Sequence, residues 1–127
     1  MEDFVNIELA IKLKELGFNI PFFFYYRTDD KKLYHSVRSQ PLVYGKDIID
    51  NEVVIAPTIA QVLKWLREEK HLEANGCYDN DAEGWMGYVC EMDVPDLYAF
   101  HALKERHKLY EGAAVAAIEY ILNNNLI

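Results

Sequence analysis

The sequence predicts an α+β fold in which two helix-hairpin units and a closing helix build an antiparallel sheet covered by helices on one side. Three observations carry that prediction. Apolar residues recur at helical spacing in three separate blocks, β-compatible runs flank polar turns in two others, and the order is helix, hairpin, helix, hairpin, helix. The 127 residues suit a single domain spanning 1–127, and 51% hydrophobic with 27% charged residues is enough apolar chain for one packed core.

The first helix lies in "NIELAIKLKELGF". Asn6 is the N-cap, Leu9, Leu13 and Leu16 recur at helical spacing, and Gly17 supplies the left-handed residue just past the end. Phe18 folds back on Leu13 in a Schellman ending. After Pro21, "FFFYYRTDDKKLYHSVR" reads as a hairpin: an aromatic run, a polar turn over Thr28 to Lys32, and a short strand from Leu33 to Arg38. Pro41, Gly45 and mixed periodicity make Ser39 to Ile55 a long excursion with one short strand at Val53 to Ile55.

The second helix opens in "APTIAQVLKWLREEKHL". Pro57 stops what precedes it, and Thr58 with Gln61 forms a T-x-x-Q capping box. Ile59, Val62, Leu63 and Leu66 fall on one face, the core stripe. Trp65 and Leu72 form a second, narrower apolar edge, covered either by a neighbouring element or by a partner.

A second hairpin follows, with strands at Ala74 to Tyr78 and Gly84 to Glu91 around a polar turn at Asp79 to Glu83. Alternation puts Met86, Tyr88, Cys90 and Met92 on one face. The segment "VPDLYAFHALKERHKLY" reads as a helical turn opening at Asp96. The closing helix is "YEGAAVAAIEYIL", made slim by Ala113, Ala114, Ala116 and Ala117, and the run Asn123 to Asn125 suits its end.

Chemistry is sparse. "DNDAEG" at Asp79 to Gly84 copies the opening of a calcium loop, but position 12 is Cys90 where calcium needs a bidentate Glu, so an acidic hairpin turn is the better reading. His101 and Glu105 would share a helix face, with His107 nearby, a spacing that specifies a metal site only weakly. His71 near a helix C-terminus is explained by the macrodipole. Cys77 and Cys90 lack a CxxC spacing and read as free thiols, Cys90 as a small buried hydrophobe. No cofactor motif is present, so no cofactor is expected.

Thirteen Lys and Arg against twenty-one Asp and Glu give a formal charge of −8, which repels phosphate backbones and argues against direct nucleic-acid binding. The expected partner is a protein with a basic surface, or a second copy of the chain. No stretch approaches the ~18 apolar residues that span a membrane, and "MEDFVNIELA" lacks an export signal, so the chain is expected to be soluble and cytoplasmic.

The blocks "LAIKLKELGFNIPFFFYY", "APTIAQVLKWLREEKHL" and "YEGAAVAAIEYIL" together resemble a family of small phage and prophage proteins of Bacteroides and related gut bacteria. That family pattern is an "LKELGF" helix followed by Pro and aromatics, an "AP" helix start with a "W-x-R-E-K" body, and a closing "Y-E-x-A" helix. The chain departs from it at Ser39 to Ile55 and at Gly112, which loosens the closing helix's start. The resemblance implies an origin and a fold and supplies no catalytic residue. The expected function is a non-enzymatic accessory protein working through protein contacts, with Trp65, Leu72, Phe22, Phe24 and Tyr26 as anchors. The alternative is a small enzyme or ligand-binding domain with a pocket between sheet and helices, using His101, Glu105 or Cys90.

Overall fold

The computed structural model describes residues 3–47, 52–92 and 99–127. The chain divides into two compact units, Met1–Thr58 and Ile59–Ile127. It is α+β, as the sequence predicts, but its strands form two three-stranded antiparallel sheets instead of one. Each predicted hairpin acquires its own third strand, which satisfies one of the backbone edges that a lone hairpin leaves open.

In the first unit, α1 (Ile7–Glu15) precedes β1 (Phe24–Arg27), β2 (Leu33–His35) and β3 (Val53–Ile55), with β1 in the middle of the sheet. The Asn6 side chain accepts the Leu9 N–H at 2.8 Å, so the predicted N-cap is in place. At the other end Gly17 has φ +90°, its N–H donates to the Lys14 carbonyl, and the Phe18 N–H reaches the Leu13 carbonyl, both at 3.0 Å. That is the Schellman pattern, closed by the burial of Leu13 and Phe18.

The excursion between β2 and β3 has a structural task. Leu42 exchanges two backbone hydrogen bonds with Phe22, at 3.0 and 2.7 Å. Asp47 accepts from the Val43 N–H and pairs with Arg38, which holds its carboxyl below the usual range. These bonds deliver Tyr44 to the free edge of β3, where its hydroxyl accepts from the Ile55 N–H at 2.7 Å and donates to the Val53 carbonyl at 2.8 Å. A single hydroxyl thus occupies the positions a further strand would take.

The second unit runs α2 (Ile59–Glu69), β4 (Leu72–Asp79), β5 (Gly84–Glu91), β6 (Ala99–His107) and α3 (Tyr110–Asn123), with sheet order β4-β5-β6. Helix α2 starts directly after Thr58, where the capping box places it, and buries Ile59, Val62, Leu63 and Leu66 together with Trp65. The β4–β5 register sets Gly76 opposite Gly87. Helix α3 crosses there: a Cβ on Gly76 would stand 3.0 Å from the Tyr110 ring, and one on Gly87 would stand 2.6 Å from the Ala113 carbonyl oxygen. The alanine-rich helix and the glycine pair are complementary, and Ala113, Ala114, Ala117, Ile118 and Ile121 are fully buried.

One element differs from the sequence reading. The expected helical turn after Asp96 is strand β6 from Ala99 to His107, and Asp96 itself lies outside the described residues. The run Leu103 to Lys108 is built of good helix formers, but β5 has a free edge, and pairing with it outweighs local propensity. The register also shifts: Met86 opposes Arg106 while Tyr88 opposes Ala102, so β6 carries two extra residues and loses its alternation. Arg106 holds this bulge. Its Nη1 donates to the Leu103 and Lys104 carbonyls at 3.1 and 3.0 Å, and its Nε and Nη2 reach Asp79 at 3.0 and 2.9 Å.

Candidate functional site

The β5–β6 register pairs Val89 with His101 and Glu91 with Ala99, which makes Glu91 and His101 diagonal neighbours on one sheet face. His101 Nε2 lies 3.0 Å from the Glu91 carboxylate, and His101 Nδ1 lies 3.0 Å from the Tyr120 hydroxyl on α3. Glu91 is an acceptor only, so Nε2 carries the hydrogen, and a neutral imidazole then offers Nδ1 to the Tyr120 O–H. The result is a carboxylate–imidazole–hydroxyl chain in which each group orients the next. Glu91 and His101 are each 28% exposed, so the chain is reachable by water without being immersed in it.

Tyr120 belongs at the same time to the wall of a groove of about 430 Å³ between β6 and α3. Gly112, Ala116 and Tyr120 lie on one helix face at four-residue spacing, and the two small residues leave the space. The lining continues along the helix to Asn123 and Asn124, so the groove follows α3 from Gly112 to its C-terminal end. His107 stands at the Gly112 end, packed so closely that a Cβ on Gly112 would lie 3.2 Å from its Nδ1. Gly112, read from sequence as a loosened helix start, makes room for this ring. The Nε2 atom of His107 is buried and has no hydrogen-bond partner among the described residues. Glu105 and Glu119 line the rim and form no ion pair among the described residues, as does Lys104.

The residues singled out from sequence fall in different places. Trp65 and Leu72 are buried in the second unit, Trp65 beneath the Lys70 ammonium at 5.4 Å from the ring centre. Phe22 is buried beside Tyr44, Phe24 is half-buried between Phe4 and His35, and Tyr26 is half-buried with its hydroxyl on the Val5 carbonyl at 2.6 Å. Trp65, Leu72 and Phe22 are thus buried, and Phe24 and Tyr26 are partly exposed. His101 and Glu105 do not share a helix face; His101 sits in the hydrogen-bonded chain and Glu105 on the groove rim.

Cys90 pairs with Phe100, one residue out of step with His101, so it belongs to the opposite sheet face with Met86 and Tyr88. Both cysteines are free thiols. Asp79, the first residue of the calcium-like stretch, spends its carboxylate on Arg106 and on the turn N–H groups of Asp81 and Ala82, and those bonds hold its carboxyl below the usual range. Among the described residues no group of three or more His, Cys, Asp or Glu is placed to hold a metal ion, and no helix is long and apolar enough to cross a membrane.

Sequence reasoning missed Glu91, Gly112 and Tyr120. Its one available signal was the Gly112, Ala116, Tyr120 spacing, two small residues and then a polar-tipped aromatic, and that stripe acquires meaning only when β6 is a strand. No protein-family model matches the chain, and neither a curated protein nor a solved structure does.

Proposed function

We propose that this protein is a non-enzymatic binding module, phage- or prophage-derived on the resemblance of its three sequence blocks and acting in the bacterial cytoplasm, and that it binds at the β6–α3 groove. One observation carries the reading: the groove is lined by Tyr120, whose hydroxyl is held by His101, and by His107, whose Nε2 is buried without a hydrogen-bond partner among the described residues. Polar groups fixed from behind or left unsatisfied around a concave surface are what a binding site requires and what a purely structural seam avoids. The order carboxylate, imidazole, hydroxyl favours a second reading, a small enzyme in which Tyr120 exchanges a proton with a substrate while His101 holds the other end.

A fragment titration followed by amide NMR tests the site. Binders are expected to shift the amides of Gly112, Ala116 and Asn123, and Ala116→Leu, which extends a side chain from the half-buried groove floor, is expected to abolish those shifts. Shifts that collect elsewhere, or that survive Ala116→Leu, overturn the assignment.

A further inference from the structure

We propose that the occupant of this groove is an ammonium or guanidinium cation, either a free amine or the basic side chain of a protein; the inference rests on the groove being the binding site. The direction of its hydrogen bonds carries the argument. With the imidazole of His101 neutral, Glu91 holds its hydrogen on Nε2, so Tyr120 gives its own hydrogen to Nδ1 and keeps only lone pairs for a ligand. Tyr120 is therefore an acceptor. A ligand that meets it must donate.

The remaining lining agrees in sign. Glu105 and Glu119 are acceptors without ion partners among the described residues; Lys104 is the one lysine or arginine among the lining residues, and the His107 imidazole packs against Gly112. The groove runs toward the C-terminal end of α3, where the helix dipole is negative and the last turn contains no basic residue. Arg106, the nearest other cation in sequence, has its guanidinium committed to Asp79 and the bulge carbonyls. The surrounding field points the same way, since Ile59–Ile127 contains six Lys and Arg against twelve Asp and Glu. A planar guanidinium has five N–H donors, enough to reach a rim carboxylate and the Tyr120 oxygen together.

The test uses the full chain at low ionic strength with four probes: agmatine, a capped five-residue glycine peptide with one central arginine, acetate and inorganic phosphate. Agmatine and the peptide are expected to shift the groove amides, and the anions are not. Equal affinities assign the cation alone as the recognised feature, and tighter binding of the peptide assigns its source to a protein. Glu105→Gln combined with Glu119→Gln, both on exposed side chains, is expected to weaken agmatine about fivefold, the size of two partly screened ion pairs. Tyr120→Phe is expected to weaken it as well, while Lys104→Gln is expected to tighten it. Acetate or phosphate binding in the groove, or Lys104→Gln weakening agmatine, overturns the cation and leaves the groove standing. No groove shift with any of the four probes or with the fragments overturns both.

Discussion

Gly87 and Ala113 are in backbone contact across the sheet–helix seam: a Cβ at Gly87 would lie 2.6 Å from the Ala113 carbonyl oxygen and 3.1 Å from Leu103. The obstacle is main chain, which no rotamer change moves aside. Gly87→Ala is therefore expected to push α3 off the sheet and cost roughly 1–3 kcal/mol, the range for overpacking. Urea melts check it. A variant as stable as the parent would mean that the helix rides higher on the sheet than the structure has it.

The Asp79–Arg106 pair makes the second unit sensitive to acid. Its bonds to Arg106 first, and to the turn N–H groups next, lower the Asp79 carboxyl in the folded chain. A lowered folded value means stability that is present above the unfolded value of about 3.9 and is lost as pH falls through the folded one. The pair is also what holds the β6 bulge and, through it, Leu103 and Lys104 on the groove wall. In Asp79→Asn, which keeps an oxygen for the turn, the drop in urea midpoint between pH 7 and pH 3 is expected to shrink. An unchanged drop would place the acid sensitivity elsewhere.

What was legible in the sequence was local. Asn6, Gly17 with Phe18, and Asn125, whose φ is +51° and which lets the Leu126 N–H reach the Ile121 carbonyl, mark helix ends through bonds that span fewer than six residues. The β4–β5 hairpin announced itself because its turn and alternation lie within one continuous stretch. Strand β6 did not, because its bulge, held by an arginine that reaches across to Asp79, erases the period-two pattern. The site went unread because Glu91, His101 and Tyr120 span 29 positions and meet only once β6 is placed.

Trp65 is 8% exposed on α2 and Leu72, which opens β4, is 3% exposed. The edge they form in the helix pattern is buried in the folded chain. Trp65→Ala is expected to cost roughly 3–5 kcal/mol, as large aromatic truncations in cores do. Denaturant melts read this directly. A Trp65→Ala chain that melts like the parent yet loses a bound protein would return Trp65 to the role of partner anchor.

Tyr44 offers the sharpest test of how the first unit closes its sheet. The Val53 carbonyl and the Ile55 N–H point away from β1, because the alternate residues of β3 are the ones bonded to it, as the Ala56 N–H to the Phe24 carbonyl shows. Without Tyr44 the Ile55 N–H loses its acceptor, while the Val53 carbonyl keeps the Lys14 ammonium at 3.0 Å. Tyr44→Phe removes only the hydroxyl and preserves the ring that packs on Phe22 and under Lys14. The cost is expected to be about 1–3 kcal/mol, that of a part-buried donor left unmade. Lys14→Met, which removes one of two donors to a carbonyl that keeps the other, is expected to cost less. The opened edge is also a template for a second chain, so Tyr44→Phe is expected to raise the concentration-dependent mass seen by sedimentation. A Tyr44→Phe chain within about 0.5 kcal/mol of the parent, the usual scatter of surface substitutions, would show that water replaces the hydroxyl at no cost and that the edge is guarded by something else.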